Sequence, residues 1–307
     1  MMLQYAMDLL WRFSRPTPSP CSELVPVPPE LPKREGPPPP VSRVAAAAAE
    51  KRRQPSTSEL EDDIDANLRL TEGSAEERPR PDYLLNTVQQ GRVSPSARAS
   101  LVGWMDAFVG HYDLADGTLH RAVAYLDRIL SARAMNTDGD HELGLLGAAA
   151  VFVAAKYEDR STVLTLDAQE IARYGGFATS KDVLDAERRV VAALGYRLGV
   201  PTAHTFVARF TRRHVHLQGE EEDDEHDVKV QRVAHRLADQ SLLNHACVGY
   251  LPSVLAASAI FLVRFTLSPP DVPPWTTEME ELTGYSALDL AGWLQCCHLL
   301  LLAIAHL

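Results

Sequence analysis

The chain has 307 residues, 46% of them hydrophobic and 23% charged, which fits a soluble globular protein with room for two domains and a tail. A net charge of −11 argues against a chain built mainly to grip phosphate backbones. The longest apolar runs, 254–265 and 294–307, fall short of the eighteen or so residues of a membrane span and carry Arg264, His298 and His306, so both read as buried helices. The chain has four cysteines, of which Cys296 and Cys297 are neighbours on an expected helix and point apart. A reducing compartment, nucleus or cytoplasm, is therefore expected.

Met1–Arg15 carries Leu9, Leu10, Trp11 and Phe13 but lacks the basic start and cleavage site of a secretory signal. Proline dominates the next forty residues, with Pro37–Pro40 consecutive and Ala45–Ala49 behind them. Such a segment buries too little apolar area to offset its ordering entropy, so residues 1–58 are expected to be a disordered tail. Within it, Lys51-Arg52-Arg53 reads either as a short nuclear-import signal or as three solvated basic residues.

After Leu60 helical patterning takes over, as a lead-in over 59–93 and then two helical series. Ser94 as N-cap and Pro95 at the first position open the first clear helix. Its stripe is Leu101, Trp104, Met105, Phe108, Val109 and Tyr112. A second helix covers Thr118–Ala132. A third, Glu142–Lys156, is apolar on all sides and belongs in the middle of a bundle. Asp167–Tyr174 and Ser180–Leu194 follow, the latter stopped by Gly195. Val200-Pro201-Thr202 breaks the pattern. The second series comprises Thr205–His214, Val228–His245, Pro252–Thr266, Met279–Thr283 and Ala287–His306. The acidic run Glu220–Glu225 reads as a solvated loop. No alternating strand pattern occurs. The expected fold is all-α: two tandem five-helix modules, 94–201 and 202–307, behind a disordered Pro/Ala-rich tail.

Four ionisable residues fall on apolar stripes. Arg98 shares the face of Leu101 and Met105, and Asp127 lies between Val123 and Leu130. Lys156 follows Phe152 and Val153, and Glu187 sits between Val183/Leu184 and Val190/Val191. A charge facing a core costs several kcal/mol if unpaired. These residues therefore either pair with one another or lie at the edge of a stripe under a partner. Arg98–Asp127 reads as an internal salt bridge, and Lys156 complements the negative end of its helix.

No Gly-rich phosphate loop and no nucleophile–base pair is present, so no catalytic residue is assigned and an enzyme is the least supported class. His214-Val-His216 and His245-Ala-Cys247 match no common zinc spacing, and no metal or cofactor is expected. Arg212-Arg213-His214 is too small a basic patch for nucleic acid.

From about Leu60 onward the chain resembles the cyclins, particularly the A/B-type mitotic group. The resemblance rests on Arg80-Pro-Asp-Tyr83, Arg98 with Leu101-Val-Gly-Trp104, and Tyr125-Leu-Asp-Arg-Ile-Leu-Ser131. It continues through Leu145, Leu146, Ala154-Ala-Lys-Tyr-Glu-Asp159, Glu187, Leu194-Gly-Tyr196 and Pro201-Thr202. In the second module Gly249-Tyr-Leu-Pro-Ser-Val254 and Leu282-Thr-Gly-Tyr285 match as well. All five positions that the family treats as its signature are present: Arg98, Asp127, Leu145, Lys156 and Glu187.

The resemblance implies a non-catalytic regulatory subunit that binds and activates a cyclin-dependent protein kinase, without nucleic-acid or membrane partners. It implies that Lys156 and Glu187 reach the kinase's mobile helix, with Tyr157 and Tyr196 packing against it and Glu158 and Val191 in the same patch. Arg98–Asp127 is the implied structural salt bridge. Alternatives are a divergent cyclin-fold scaffold that activates nothing and a transcription-factor-like protein of the same fold.

The substrate-docking patch common in the family falls at Ala97, Ser100, Leu101 and Trp104, where only the last two keep their bulk. Its acid falls at Ala107, beside Asp106, and Gly103 replaces the usual aspartate, so weak or absent docking is expected. Two loops, Arg133–Asp140 and Arg160–Leu164, are longer than the family norm. The proline pair after the lysine helix is missing, and no destruction signal is found in the tail.

Overall fold

A computed structural model describes residues 57–135, 140–159, 161–162, 166–218, 225–267 and 273–290. The proline-rich tail, most of the acidic run, Cys296–Cys297, parts of both long loops and most of the last expected helix lie outside these residues. By its contacts the chain divides into two units, 1–64 and 65–307. Of the first, only the opening turns of helix α1 (Thr57–Glu72) are described. The second carries both helical modules.

Among the described residues all regular structure is helical. The first module holds α2 (Pro95–His111), α3 (Thr118–Ala132), α4 (Asp140–Glu158), α5 (Ala168–Gly175) and α6 (Ser180–Ala193). The second holds α7 (Ala203–Gln218), α8 (Glu225–Leu243), a 3-10 turn (His245–Gly249), α9 (Pro252–Leu267) and α10 (Thr277–Thr283), with helix again from 287 to the last described residue, 290. None of these helices is long and apolar enough to cross a membrane.

Local chemistry sets the helix starts. The Ser94 hydroxyl accepts the Ala97 amide at 3.0 Å, with Pro95 opening α2. Asp167 accepts the amides of Gln169 and Glu170 at 2.8 and 2.9 Å, and Thr179 forms a reciprocal capping box with Asp182. Several helices run a turn past their apolar stripes, since the backbone ladder continues wherever no breaker stops it. The expected helix 228–245 instead ends at Leu243, because the Asn244 side chain accepts the Ala246 amide and starts the separate 3-10 turn. The lead-in is helical only to Glu72 and then runs as turns to Val93, where Pro79 and Pro81 lack the amide hydrogens a helix needs.

As its all-round hydrophobicity predicts, α4 is the axle of the first module and packs against α2, α3, α5 and α6. Gly147 sits where a Cβ would come within 2.7 Å of Leu101, so its lack of a side chain lets α2 close onto α4. In the second module α9, buried at every position from Ser253 through Val263 except the partly buried Leu255, packs between α7 and α8.

The end of α1 is pinned to the second module. Asp65 pairs with Arg209 and Arg213, and Arg69 bonds the Tyr285 hydroxyl at 2.9 Å. The Glu72 carboxylate accepts the Ser253 amide at 2.9 Å and its hydroxyl at 2.7 Å.

The expected Arg98–Asp127 salt bridge is formed and buried. Arg98 donates through Nε and a terminal nitrogen to the two Asp127 oxygens, at 2.7 Å each. Its other terminal nitrogen reaches the Leu242 carbonyl of the second module at 2.7 Å, and the Tyr83 hydroxyl donates to Asp127 at 2.7 Å. Burial alone would lower the Arg98 pKa, but the Asp127 charge and hydrogen bonds outweigh it and leave it raised. Burial, helped by Asp127, also raises the Tyr83 phenol.

Two effects of this packing are measurable. Arg98→Met leaves the Asp127 charge buried without its partner, so chemical denaturation is expected to show a loss of about 3–5 kcal/mol, much of it recovered in Arg98→Met/Asp127→Leu. A double variant no more stable than the single one contradicts this. Separately, burial first, then Arg264, lowers His214 to about 4, and burial first, then His204, lowers His235 to about 4. The unfolded chain takes up these protons near pH 6.5 and the folded chain only near 4. Stability is thus fully present above about 6.5 and falls as pH drops toward 4. Urea midpoints at pH 7 and 5 should show the fall, and His235→Gln should flatten it.

Candidate functional site

The residues assigned to a partner surface come from three places: the last turn of α4, the middle of α6 and the turn after α6. Lys156 and Glu187 pair directly through Nζ and Oε1, with side chains 26% and 20% exposed. The Lys156 ammonium also lies 3.8 Å from the Phe152 ring centre. The two charges thus sit at the rim of the core, partnered with each other and still open to solvent.

On α6, Leu184, Glu187 and Val191 follow at three- and four-residue steps, so they share one face. Leu184 is 38% exposed and Val191 half-buried against the core. Sequence reasoning placed Leu184 on the stripe of Glu187 but did not assign it to the partner surface, although its spacing from Glu187 was a usable signal.

Tyr157 is half exposed. Glu158 pairs with Arg121 of α3, whose guanidinium carbon lies 4.4 Å from the centre of the Tyr157 ring. Arg121 was not singled out from the sequence.

After α6 the backbone enters the left-handed region twice, at Gly195 (φ 58°) and Tyr196 (φ 61°). Glycine takes this conformation freely, whereas a tyrosine there costs on the order of 1–3 kcal/mol and needs its surroundings to hold it. The amides of Tyr196 and Arg197 bond the carbonyls of Val191 and Leu194 at 3.1 Å each. The result is an aromatic ring 78% exposed on a strained, hydrogen-bonded turn.

The other assigned residues lie elsewhere. Arg98 and Asp127 are internal, and Leu145 is in the core. Leu101 is only 8% exposed. Trp104 is half-buried beside Phe108 and Tyr174, with ring centres 5.6 and 5.8 Å away. Around them Ser100, Gly103, Asp106 and Ala107 are exposed, leaving little apolar bulk at the surface. His214, weighed as a metal ligand, lies 3.5 Å from an Arg264 nitrogen, and burial first, then this cation, depresses its pKa. No group of metal-ligating side chains occurs among the described residues.

Comparison with known proteins agrees with this architecture. The family described as Cyclin, N-terminal domain matches residues 63–199, and Cyclin, C-terminal domain matches 201–306. The chain is 55% identical over 232 residues to Putative cyclin-F2-1 of Oryza sativa subsp. japonica, covering 76% of this chain and 57% of that protein. It is 36% identical over 229 residues to Cyclin-A3-4 of Arabidopsis thaliana, covering 74% and 58%. The chain thus spans somewhat over half the length of these relatives. Among solved structures, a viral cyclin from herpesvirus saimiri superposes with a TM-score of 0.58 over 76% of this chain and 92% of that one, at 18% identity, a likeness of fold. With both modules matched and plant cyclins this similar, the chain belongs to the cyclin family.

Proposed function

We propose that the chain is a regulatory subunit that binds and activates a cyclin-dependent serine/threonine protein kinase in cell-cycle control, acting in the nucleus and cytoplasm. The observation that carries this reading is the Lys156–Glu187 pair, set partly exposed at the rim of an apolar patch that also holds Leu184, Val191, Tyr157 and Tyr196. An ion pair in this position adds little to stability. Its two charges are free to trade each other for a partner's groups, fixing the register of an interface whose area comes from the aromatic and aliphatic side chains. A strained, exposed tyrosine fits the same reading, since backbone strain concentrates at functional sites. Activation then follows as a population shift: the chain favours the kinase conformation in which its catalytic Lys–Glu pair is assembled.

A specific observation bears on substrate choice. With Leu101 turned into the core and small residues around Trp104, the surface where cyclins capture basic-hydrophobic substrate motifs offers little to hold.

The test is co-purification with a panel of cyclin-dependent kinases followed by a phosphorylation assay. Lys156→Ala and Glu187→Ala are each expected to weaken binding about 10–100-fold, the worth of one charge-assisted hydrogen bond. Both should leave the folded stability within about 1 kcal/mol of the parent. Binding without activation would favour a scaffold role, and no binding across the panel would refute the kinase reading while leaving the fold intact. In the same assay, a peptide carrying the basic-hydrophobic docking motif is expected not to compete with substrate; potent competition would show that Trp104 alone sustains docking.

A further inference from the structure

Arg121, Tyr125 and Arg128 lie on one face of α3, at four- and three-residue steps over successive turns. All three donate to the backbone of the connector between the modules. One terminal nitrogen of Arg121 reaches the carbonyls of Leu198 and Val200 at 3.0 Å each. The Tyr125 hydroxyl reaches Leu198 O at 2.7 Å, and Arg128 reaches Arg197 O at 2.9 Å. The connector takes no part in a helix or sheet here, so these side chains satisfy carbonyls that would otherwise need water.

Arg121 does more than hold the connector. Its Nε bonds Glu158, and its guanidinium covers the face of Tyr157, both at the end of α4. The connector also approaches the same tyrosine closely, since a Cβ at Gly199 would lie 3.0 Å from the Tyr157 hydroxyl. One side chain therefore binds the end of α4 to the segment that begins with Tyr196. Those two segments are distant in sequence and carry four of the residues assigned to the partner surface: Lys156, Tyr157, Glu158 and Tyr196.

We infer that Arg121 is the positioning residue of this surface: its guanidinium clamps the inter-module connector to the end of α4, so that Tyr157 and Tyr196 are presented as one rigid patch. The consequence for kinase affinity rests on the kinase-binding reading, whereas the clamp itself does not. The planar fork is the needed chemistry, since it meets a carboxylate, two carbonyls and an aromatic face at once. Lysine offers a point charge that serves one of these at a time.

The test compares the full-length chain with Arg121→Met, which keeps an unbranched stem, and with Arg121→Lys. Tyr125→Phe, which removes one hydroxyl without changing the packing, serves as the milder variant should Arg121→Met fold poorly. Amide hydrogen exchange at Tyr196 and Arg197 is expected to quicken about tenfold or more in Arg121→Met, with α2 unchanged; Arg121→Lys recovers only part, and Tyr125→Phe moves the same way by less. With a kinase from the panel that binds the parent chain, the dissociation constant should rise about tenfold while activity at saturating cyclin returns to the parent value.

Unchanged exchange at Tyr196 and Arg197 in both Arg121→Met and Tyr125→Phe overturns the clamp. Faster exchange with unaltered kinase affinity overturns its role in presenting the patch. Should the parent chain bind no kinase, the kinase reading fails and the exchange comparison still decides whether the clamp exists.

Discussion

The fold depends on a pair of buried opposite charges, Arg98 and Asp127. A guanidinium 1% exposed against a carboxylate 6% exposed is a large desolvation cost that only complete satisfaction can offset. Both Asp127 oxygens are bonded, and one is shared with the Tyr83 hydroxyl. The remaining terminal nitrogen of Arg98 is used on Leu242. Four segments therefore meet at one point: the lead-in, α2, α3 and the end of α8. An apolar cluster of the same volume is often as stable as a buried ion pair, but it lacks the directional bonds that fix register. The fork geometry supplies them, and this is a physical reason for a charged pair where the two modules join.

The pair at the other edge of the first module has the same composition and the opposite physics. Lys156 and Glu187 remain partly in water, so breaking their bond costs little and exchanging it for a partner's groups costs little more. One ion pair is sealed where four segments of the fold meet, and the other is left partly open to water. Burial and residue type both separate the two pairs, since the sealed one uses the arginine fork and the open one a lysine point charge.

How much of this was legible in the sequence depends on how local each interaction is. The start at Ser94 was readable because a cap involves residues two or three apart, whereas the caps at Asp167 and Thr179 were not singled out from the sequence. The centrality of α4 was readable from its apolar circumference, and the presence of Arg98, Asp127, Lys156 and Glu187 on apolar stripes announced that they needed partners. Arg98–Asp127 could be paired on paper because both sit mid-stripe on neighbouring helices. Lys156 was read as complementing its own helix end, and its bond to Glu187, on a helix reached only through a long loop and α5, left no trace in the spacing. The docking patch was legible as a loss of bulk, whereas the burial of Leu101 depends on Gly147 of another helix.

The role of α3 was the least legible. Its apolar positions mark one buried stripe, and no role for His120, Arg121 or Arg128 was read from the sequence. In the structure nearly every side chain from Thr118 to Ser131 is buried, because α4 covers one side, α8 part of another and the connector a third. Each of these polar residues is then matched across a different boundary. His120 bonds Asp239 of α8 at 3.0 Å, Arg121 bonds Glu158 of α4, and Arg128 pairs with Glu77 of the lead-in at 3.0 Å. A helix surrounded in this way needs polar side chains, because its neighbours include bare backbone as well as apolar faces. Arg121, Tyr125 and Arg128 supply donors to the connector carbonyls of Arg197, Leu198 and Val200. The basic residues of α3 are thus the counterpart of Val200-Pro201-Thr202: where the chain breaks its helical pattern to pass between modules, the neighbouring helix provides the hydrogen bonds that the break leaves unmade.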